Sequence, residues 1–395
     1  MSYLFPNYQR KELELIEGSH CTLTDHTGKQ YLDFTSGIGV MNLGYNDPEL
    51  NQVLLDQASL LWHTPNLYEN GLQEKTAEKL ANNKEYVSFF CNSGAEANEA
   101  AIKLARKATG KSKIITFTNS FHGRTYGAMS ATGQESIHVG FEPLVPEFVY
   151  VPFNEIDPLK AAIDQQTAAV MLELVQGEGG ILPAEESWVQ AVQALCDAFN
   201  VLLIVDEIQT GIGRTGTLYA YEQYQIEPDI FTLAKGLGNG IPVGAMLGKA
   251  SLAEFFGPGT HGSTFGGNKL AMSVACKVVE RINKPAFLHE VQARAQQLFS
   301  GLLKMTEKNQ LVKTVRGKGL MIGIELADQQ TLIYVLDQLE ANGLLALKAG
   351  QTVLRLLPPL TITEKEMSHG LNIIEKVLNE LVSQDSFFEK GEGVK

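Results

Sequence analysis

The chain has 395 residues, of which 44% are hydrophobic and 19% are charged, and its formal net charge at pH 7 is −13. The composition is that of an ordinary globular protein, and the chain is longer than one compact hydrophobic core can accommodate. The length therefore predicts two or three domains. The acidic balance argues against a nucleic-acid or anionic-membrane partner, because both need a basic protein surface.

The N-terminal segment and the cysteines both bear on the cellular compartment in which we expect the protein. The first residues lack the apolar core of a signal peptide, and no apolar run approaches the roughly 20 residues that span a bilayer. The four cysteines form no C-x-x-C pair, and Cys91 and Cys196 lie in apolar segments. This predicts buried free thiols in a reducing compartment, so we expect a cytoplasmic protein without a membrane segment.

Short apolar runs alternate with longer amphipathic ones between Val87 and Gly248, with helical patterns such as Ala95–Ala108 and Ser187–Phe199 between them. The alternation predicts an α/β fold with a mostly parallel central sheet and helices on both faces. Ligands bind such sheets beyond the carboxyl ends of the strands. The strand candidates in chain order are Val87–Cys91, Ile114–Phe117, Phe148–Val151, Ala169–Leu174, Val201–Val205, Ile230–Leu233 and Ala245–Gly248.

After Thr264 the pattern changes. Gly267–Asn283 predicts one long helix, and a shorter α+β region follows with strand candidates at Met321–Leu326 and Val353–Leu356. We therefore predict an N-terminal segment that packs with a small domain, a large ligand-binding domain, and a linking helix with the small α+β domain, at residues 1–45, 46–265 and 266–395.

Two apolar strand candidates end in residues with complementary chemistry. One ends in Asp206, within VLLIVDEIQTGIGRTG, and the other leads to Lys235, within DIFTLAKGLGNG. A lysine at the end of an apolar strand can lose its proton and form a Schiff base with an aldehyde. A carboxylate that faces it suits pyridoxal phosphate (PLP), because Asp206 would keep the pyridine nitrogen protonated. The pair predicts a PLP enzyme.

The segment FFCNSGAEANEAAIKLARKA predicts a strand that turns through Ser93, Gly94 and Ala95 directly into a helix. Backbone N–H groups at such a helix start bind phosphate, helped by the helix dipole. This turn is therefore a candidate site for the cofactor phosphate.

The segment SFHGRT places Phe121 and Arg124 at the same edge of the predicted sheet. The ring suits stacking on a pyridine, and the guanidinium suits bidentate binding of a substrate carboxylate. Each of these signals alone has an ordinary structural explanation, such as a helix cap, a core ring or a surface ion pair. Their order on one alternating sheet favours a functional site.

Other interpretations fit these residues less well. The P-loop of an ATPase would need a glycine where Ala105 stands, and Gly110-Lys111-Ser112 ends a helical pattern. Gly211–Gly216 matches the dinucleotide fingerprint of an oxidoreductase, but no strand leads directly into it and no helix pattern follows. A non-enzymatic protein of the same fold would be expected to lack the lysine or the aspartate. The isolated histidines, which predict hydrogen-bonded or core roles and no metal, are His63, His122 and His261.

Taken together, these motifs resemble one family. SGAEANEAAIKLAR, SFHGRTYGAMSATG, ELVQGEGG, LLIVDEIQTGIGRTG, LAKGLGNGIPVGA and HGSTFGGN occur in the order seen in class III (subgroup II) PLP-dependent aminotransferases. The resemblance covers nearly the whole chain and implies a fold-type I PLP-dependent transferase. Within the family, the length and the motifs are most similar to the acetylornithine aminotransferases of arginine biosynthesis.

The resemblance also implies roles for single residues. Lys235 would carry the cofactor and shuttle the proton, Gln209 would hydrogen-bond the ring 3-oxygen, and Thr264 would reach the phosphate of a neighbouring subunit in a homodimer. The implied cofactor-binding residues are Ser93, Gly94, Ala95, Phe121, Asp206, Gln209, Lys235 and Thr264. The implied substrate-binding residues are Arg124, Glu178, Ser263 and Arg355.

The resemblance singles out Glu178 and Arg355 for substrate choice. Arg355 would bind the α-carboxylate of glutamate or 2-oxoglutarate, and Glu178 would pair with Arg355 when acetylornithine is bound. Ile38 stands where ornithine aminotransferases carry a tyrosine, and its apolar side chain suits an acylated substrate, although it could equally pack a domain junction. Ornithine, succinylornithine, succinyl-diaminopimelate and 4-aminobutyrate remain alternative amine donors.

Overall fold

The structure is a computed structural model that describes residues 3–306 and 309–391. Its strands are β1 (Leu15–Ser19), β2 (Thr22–Asp25), β3 (Gln30–Asp33), β4 (Tyr86–Cys91), β5 (Lys113–Phe117), β6 (Phe148–Val151), β7 (Thr167–Glu173), β8 (Val175–Gln176), β9 (Leu182–Pro183), β10 (Leu202–Asp206), β11 (Ile230–Leu233), β12 (Gly244–Lys249), β13 (Val312–Lys318), β14 (Met321–Leu326), β15 (Leu344–Leu345), β16 (Leu347–Ala349) and β17 (Val353–Leu356).

The helices alternate with these strands over much of the chain. They are α1 (Ser36–Gly39), α2 (Pro48–Leu60), α3 (Gly71–Ala81), α4 (Gly94–Thr109), α5 (Tyr126–Ala131), α6 (Glu135–His138), α7 (Ile156–Ala162), α8 (Glu186–Phe199), α9 (Lys269–Ile282), α10 (Pro285–Thr306), α11 (Gln329–Ala341) and α12 (Glu364–Gly391). Three 3₁₀ segments lie at Ala220–Tyr224, Lys235–Leu237 and Ala250–Phe256.

The seven-stranded sheet has the order β4-β12-β11-β10-β7-β5-β6. The pairs among β6, β5, β7, β10 and β11 are parallel, whereas β12 is antiparallel to both of its neighbours. The prediction of a mostly parallel sheet is confirmed, and the seven strand candidates match its seven strands within about two residues at each end.

Helices cover both faces of this sheet. All seven residues of β7 are buried. Val170 and Leu172 belong to one hydrophobic core, and Ala169 and Met171 belong to another that includes Ala101 of α4. Successive side chains of a strand point to opposite faces, so the continuous apolar run follows from burial on both sides.

A smaller α+β region accompanies the large sheet. Its four-stranded sheet has the order β13-β14-β17-β16. A further sheet joins the N-terminal strands to the C-terminal part of the chain, because β15 pairs in parallel with β3. These pairings agree with an N-terminal segment that packs with the small domain, but the boundaries 1–45, 46–265 and 266–395 stay a prediction.

Local chemistry explains two helix ends. The Ser93 hydroxyl accepts a hydrogen bond from the Glu96 N–H (3.2 Å) and caps the start of α4. Gly110 ends the same helix with a left-handed φ of 67°. The Gly110-Lys111-Ser112 segment is thus a helix end, which agrees with the rejection of a P-loop.

All four cysteines are buried and free, as expected. Among residues 3–306 and 309–391, no helix is long and apolar enough to cross a membrane.

Candidate active site

The carboxyl ends of four parallel strands meet at one edge of the large sheet. β7 ends at Glu173, β10 ends at Asp206, and the turn after β11 carries Lys235. Loops after β4 and β5 bring further residues to the same edge. They enclose a cavity of about 420 Å³, lined by Val40, Asn92, Ser93, Gly94, Ala95, Phe121, His122, Gly123, Arg124, Glu173, Glu178, Asp206, Ile208, Gln209, Ala234, Lys235, Gly240, Ile241, Pro242 and Val243.

Asp206 is held in one orientation by three hydrogen bonds. Its Oδ2 accepts from Asn98 Nδ2 and from His122 Nδ1, both at 2.8 Å, and its Oδ1 accepts from the Ile208 N–H at 3.0 Å. Asn98 is fixed in turn, because its Oδ1 accepts from the Thr232 hydroxyl at 2.8 Å. The carboxylate is therefore preorganised at the cavity and needs no reorientation to meet a ligand.

Lys235 lines the cavity from the first position of the 3₁₀ segment that follows β11. Burial is the main cause that lowers the pKa of its amine below the ordinary value, and the carboxylate of Glu178 opposes this effect. An amine with a lowered pKa is unprotonated more often and is a better nucleophile.

The turn before α4 forms the opposite wall of the cavity. A Cβ on Gly94 would lie 2.8 Å from the Ile208 side chain, so only glycine fits there without a shift. Gly94 and Ala95 line the cavity in the first turn of a 16-residue helix. The helix dipole makes this turn attractive to an anion such as a phosphate.

Phe121 and Arg124 follow β5, as predicted. The Arg124 guanidinium carbon lies 5.7 Å from the centre of the Phe121 ring. The backbone N–H of Phe121 donates to the Glu173 carboxylate at 3.0 Å. Arg124 is exposed at the cavity mouth, where a substrate carboxylate can reach it.

Glu178 and Arg355 form the ion pair that the resemblance implied. Arg355 Nη1 lies 2.5 Å from Glu178 Oε1, and Nη2 lies 3.3 Å from Oε2. Arg355 Nη1 also reaches the Gly177 carbonyl (3.3 Å) and Gln209 Oε1 (3.5 Å). Burial tends to raise the pKa of Glu178, but Arg355 and Lys235 outweigh it and the pKa is lowered. Glu178 is therefore an anion beside the cavity at neutral pH.

Ser263, Thr264 and Ile38 lie outside the lining of this cavity. The Ser263 hydroxyl oxygen accepts from Asn92 Nδ2 (3.1 Å), which connects it to a lining residue. Thr264 is exposed on the surface, and Ile38 is 44% exposed with a left-handed φ of 68°. One chain therefore does not bring Thr264 to its own cavity, and the roles of these three residues stay predictions.

Three residues of the site were not predicted from the sequence. His122 was expected to have a hydrogen-bonded or core role, and it is the buried donor to Asp206. Asn98 had no signal of its own inside the helical pattern. Glu173 ends a buried strand as Asp206 does, and this was a signal that could have identified it.

Possible metal ligands come together at one other place in the described part of the chain. Ligand atoms of His20, Cys21 and Glu366 lie within 4.8 Å of one another. His20 Nδ1 and Glu366 Oε1 are 3.0 Å apart, so these two groups satisfy each other. None of the three lines the cavity. The absence of a metal from the active site stays a prediction.

The fold and the cavity together define a PLP-dependent enzyme of fold type I. A lysine of lowered pKa, an aspartate held by three donors and a glycine-dependent helix start fit the amine attachment, the pyridine nitrogen and the phosphate of this cofactor. The dinucleotide alternative lacks the required strand-to-helix turn, because residues 211–216 form turns and a bend and the next helical segment begins only at Ala220.

The chain belongs to the class-III aminotransferase family, whose model matches residues 5–378, and its cofactor is pyridoxal phosphate. It is 55% identical over 381 residues to the acetylornithine aminotransferase of Streptococcus mutans, covering 96% of this chain and 100% of that protein. It is 53% identical over 387 residues to the acetylornithine aminotransferase of Listeria monocytogenes, with coverages of 98% and 100%.

A solved structure of ornithine aminotransferase from Toxoplasma gondii, described with PLP at its active site, matches with a TM-score of 0.92 and 31% identity. The match covers 97% of this chain and 93% of that one. The family and the fold are therefore confirmed. Because an ornithine enzyme has nearly the same backbone, the fold alone does not distinguish these two amine donors.

Proposed function

We propose that this chain is an acetylornithine aminotransferase. It transfers the δ-amine of N-acetylornithine to 2-oxoglutarate, and the products are N-acetylglutamate 5-semialdehyde and glutamate, in arginine biosynthesis. The observation that carries the proposal is the Glu178–Arg355 ion pair, whose carboxylate lines the cavity together with Lys235. The names of the two curated relatives support the same activity.

The cofactor end of the cavity provides proton control. Bound PLP supplies an aldehyde that accepts the amino group and a ring that withdraws electrons. Asp206 Oδ1 accepts the Ile208 N–H and would offer its second lone pair to the protonated ring nitrogen, while His122 and Asn98 bond the other oxygen. Lys235 would hold the cofactor and then move a proton at Nζ, which its lowered pKa makes easier.

The start of α4 and the Phe121 ring would position the cofactor. The N–H groups of Gly94 and Ala95 would bind the phosphate, beside Ser93, and Phe121 would stack on the pyridine. Gln209 would hydrogen-bond the ring 3-oxygen from the loop after β10. Each of these residues lines the cavity, so the cofactor would be fixed at both ends and along one face.

At the substrate end, one arginine would be exposed to one amine donor and masked for the other. When glutamate binds, Arg355 grips its α-carboxylate through a bidentate pair. When N-acetylornithine binds, Glu178 would stay paired with Arg355 and mask that charge, so that the δ-amine would meet the cofactor held by Lys235. Buried Arg355 Nε has no partner among the described residues and leaves a further donor for a carboxylate. Arg124 and Ser263 contact the remainder of the substrate.

The surface around Thr264 supports a homodimer. The exposed fractions are 60% for Phe265, 87% for Leu67 and 69% for Tyr68, and Asn66 Nδ2 donates to the Ser263 carbonyl (3.1 Å), which places these side chains on one patch. Apolar patches of this kind mark protein interfaces. In the proposed dimer, Thr264 completes the phosphate site of the partner. The reaction takes place in the cytoplasm, in agreement with four free thiols.

Subunit mixing tests the dimer. A Lys235→Ala chain and a Thr264→Glu chain are each expected to be inactive as homodimers. A heterodimer has one site with both native residues, so random mixing should restore about a quarter of the wild-type activity. No recovery in a mixture shown to contain heterodimers would contradict the role of Thr264.

The visible spectrum of the purified protein tests the activity. We expect a yellow cofactor band that N-acetylornithine bleaches faster than ornithine, N-succinylornithine or 4-aminobutyrate, and that 2-oxoglutarate restores. Bleaching mainly by one of the other amines would keep the family and move the assignment to that amine. A protein that stays colourless after addition of PLP would contradict the proposal as a whole.

A further inference from the structure

Glu173 is a buried carboxyl group at the active site for which the proposed mechanism has no use. It ends β7, an inner strand of the large sheet, is 6% exposed and lines the cavity. In the parallel pairing of β7 with β10 it is the direct partner of Asp206. Two carboxyl groups therefore lie at the same level of the sheet, one strand apart.

The Glu173 carboxylate connects two separate parts of the site. Its Oε2 accepts from the N–H of Phe121 at 3.0 Å, and its Oε1 accepts from the N–H of Gly177 at 3.2 Å. Phe121 forms one face of the cofactor cavity. Gly177 precedes Glu178, so the second bond fixes the backbone that carries the masking carboxylate.

Gly177 is held from both sides. Its N–H goes to Glu173, and its carbonyl accepts from Arg355 Nη1 at 3.3 Å. A Cβ at this position would lie 2.6 Å from the Gln209 side-chain amide, so the turn also packs tightly there. When Arg355 turns to a substrate carboxylate and its bonds to this turn weaken, the bond to Glu173 remains.

We propose that Glu173 is the positioning residue that keeps the Gly177–Glu178 turn and the Phe121 ring in register while Glu178 and Arg355 exchange partners. This inference rests on the proposed aminotransferase function. Only an ionised carboxylate accepts at both oxygens with equal strength, so the positioning role of Glu173 depends on its negative charge.

The titration of Glu173 provides an internal readout. Burial, and then the neighbouring Asp206, raise its pKa to about 7, while the charge of His122 opposes them. Lys235 also faces the same space. We define the donor ratio as kcat/KM for N-acetylornithine, the ω-amine donor, divided by kcat/KM for glutamate. In the wild type we expect this donor ratio to fall as the pH drops below 7.

The test compares Glu173→Gln with Glu207→Gln. Glu207 is a matched control, because it is equally buried, its pKa is also raised to about 7 by burial, and it bonds Tyr221 and Thr210 instead of the site. An amide at 173 would point its NH₂ at one of the two N–H groups. We expect the donor ratio to fall about tenfold, the equivalent of one lost hydrogen bond to a charged group, and to lose its pH dependence.

Hydrogen exchange gives a readout that does not depend on turnover. Peptides that contain Gly177 or Phe121 should exchange faster in holoenzyme carrying Glu173→Gln and at the wild-type rate with Glu207→Gln. Unchanged exchange and an unchanged ratio, or equal changes in both variants, would overturn the proposal. If Glu173→Gln fails to fold, Glu173→Asp serves instead, and an unaltered ratio there has the same meaning. Should the wild type prefer another ω-amine, the proposed substrate fails while the ratio with that amine still tests Glu173.

Discussion

The two ends of the cavity are built differently. At the cofactor end, Asp206, Asn98 and His122 are all buried and bonded to one another, on elements of the large sheet. At the substrate end, Glu178 follows β8 and Arg355 lies on β17 of the small sheet, and one ion pair joins them. A fixed network suits a cofactor that stays bound through both halves of the proposed reaction, whereas a separable ion pair suits two substrates that differ in charge.

The largest effect should come from the cofactor end. In the proposed mechanism Lys235→Ala removes both the attachment point and the proton shuttle, so we expect turnover to fall by more than about 10⁴-fold. Steady-state transamination measures this loss. Lys249→Ala is the control, since Lys249 pairs with Asp229 at 2.8 Å outside the cavity lining. Activity near the wild type in Lys235→Ala would refute the assignment of the site.

A smaller loss should follow from Asp206→Asn. The amide is nearly the same size, but it cannot hold the ring nitrogen proton by charge, and its NH₂ faces a donor from His122 or Asn98. We expect kcat to fall about 10²–10³-fold, the range for a lost electrostatic contact at a reacting centre. Turnover and the absorbance of bound cofactor, measured together, separate this effect from loss of PLP.

At the substrate end we expect altered preference without loss of turnover. Glu178→Ala leaves Arg355 unmasked, so the preference for N-acetylornithine over glutamate should fall about tenfold. The ratio of kcat/KM for the two donors measures it. Glu325→Ala is the matched control, because it breaks the Arg316–Glu325 pair in the same small sheet away from the cavity. Equal preference in Glu178→Ala and wild type would contradict the masking role.

The smallest effect on activity is expected at Glu207, whose titration should instead change the folding stability with pH. Burial raises the pKa of Glu207 from 4.5 to about 7. The folded state therefore holds this proton more tightly than the unfolded chain, so its stabilising contribution is complete below pH 4.5 and is lost as the pH rises through 7. This is about 3 kcal/mol. The fall in melting temperature between pH 5 and pH 7.5 should be smaller in Glu207→Gln, and an identical fall would contradict the prediction.

The large sheet was predictable because its strands are buried on both faces and their apolar runs are continuous. The order of the strands was not, since β12 runs against its neighbours and nothing in Gly244–Lys249 indicates direction. In the small region only β14 and β17 had clear patterns. Short strands such as β15 and β16 depend on pairing with distant segments, which local propensity does not encode.

The site was predictable where a residue ends a strand or begins a helix, as with Asp206 and Gly94. Its supporting partners were not, because Asn98 and His122 lie 108 and 84 residues from Asp206 along the chain. The Glu178–Arg355 pair spans 177 residues and was accessible only through the family resemblance. Spatial partners at such separations are set by the fold and leave no local trace.

Lys235 has a backbone φ of 44°, in the left-handed region that favours glycine. A lysine held there costs on the order of 1 kcal/mol in folding free energy. Replacement by glycine would relax the backbone and remove a poorly solvated amine. Folding alone therefore favours the loss of this side chain, and only selection for turnover retains it. In a descendant that no longer needs the reaction, substitution at position 235 would inactivate the protein without removing a stabilising side chain.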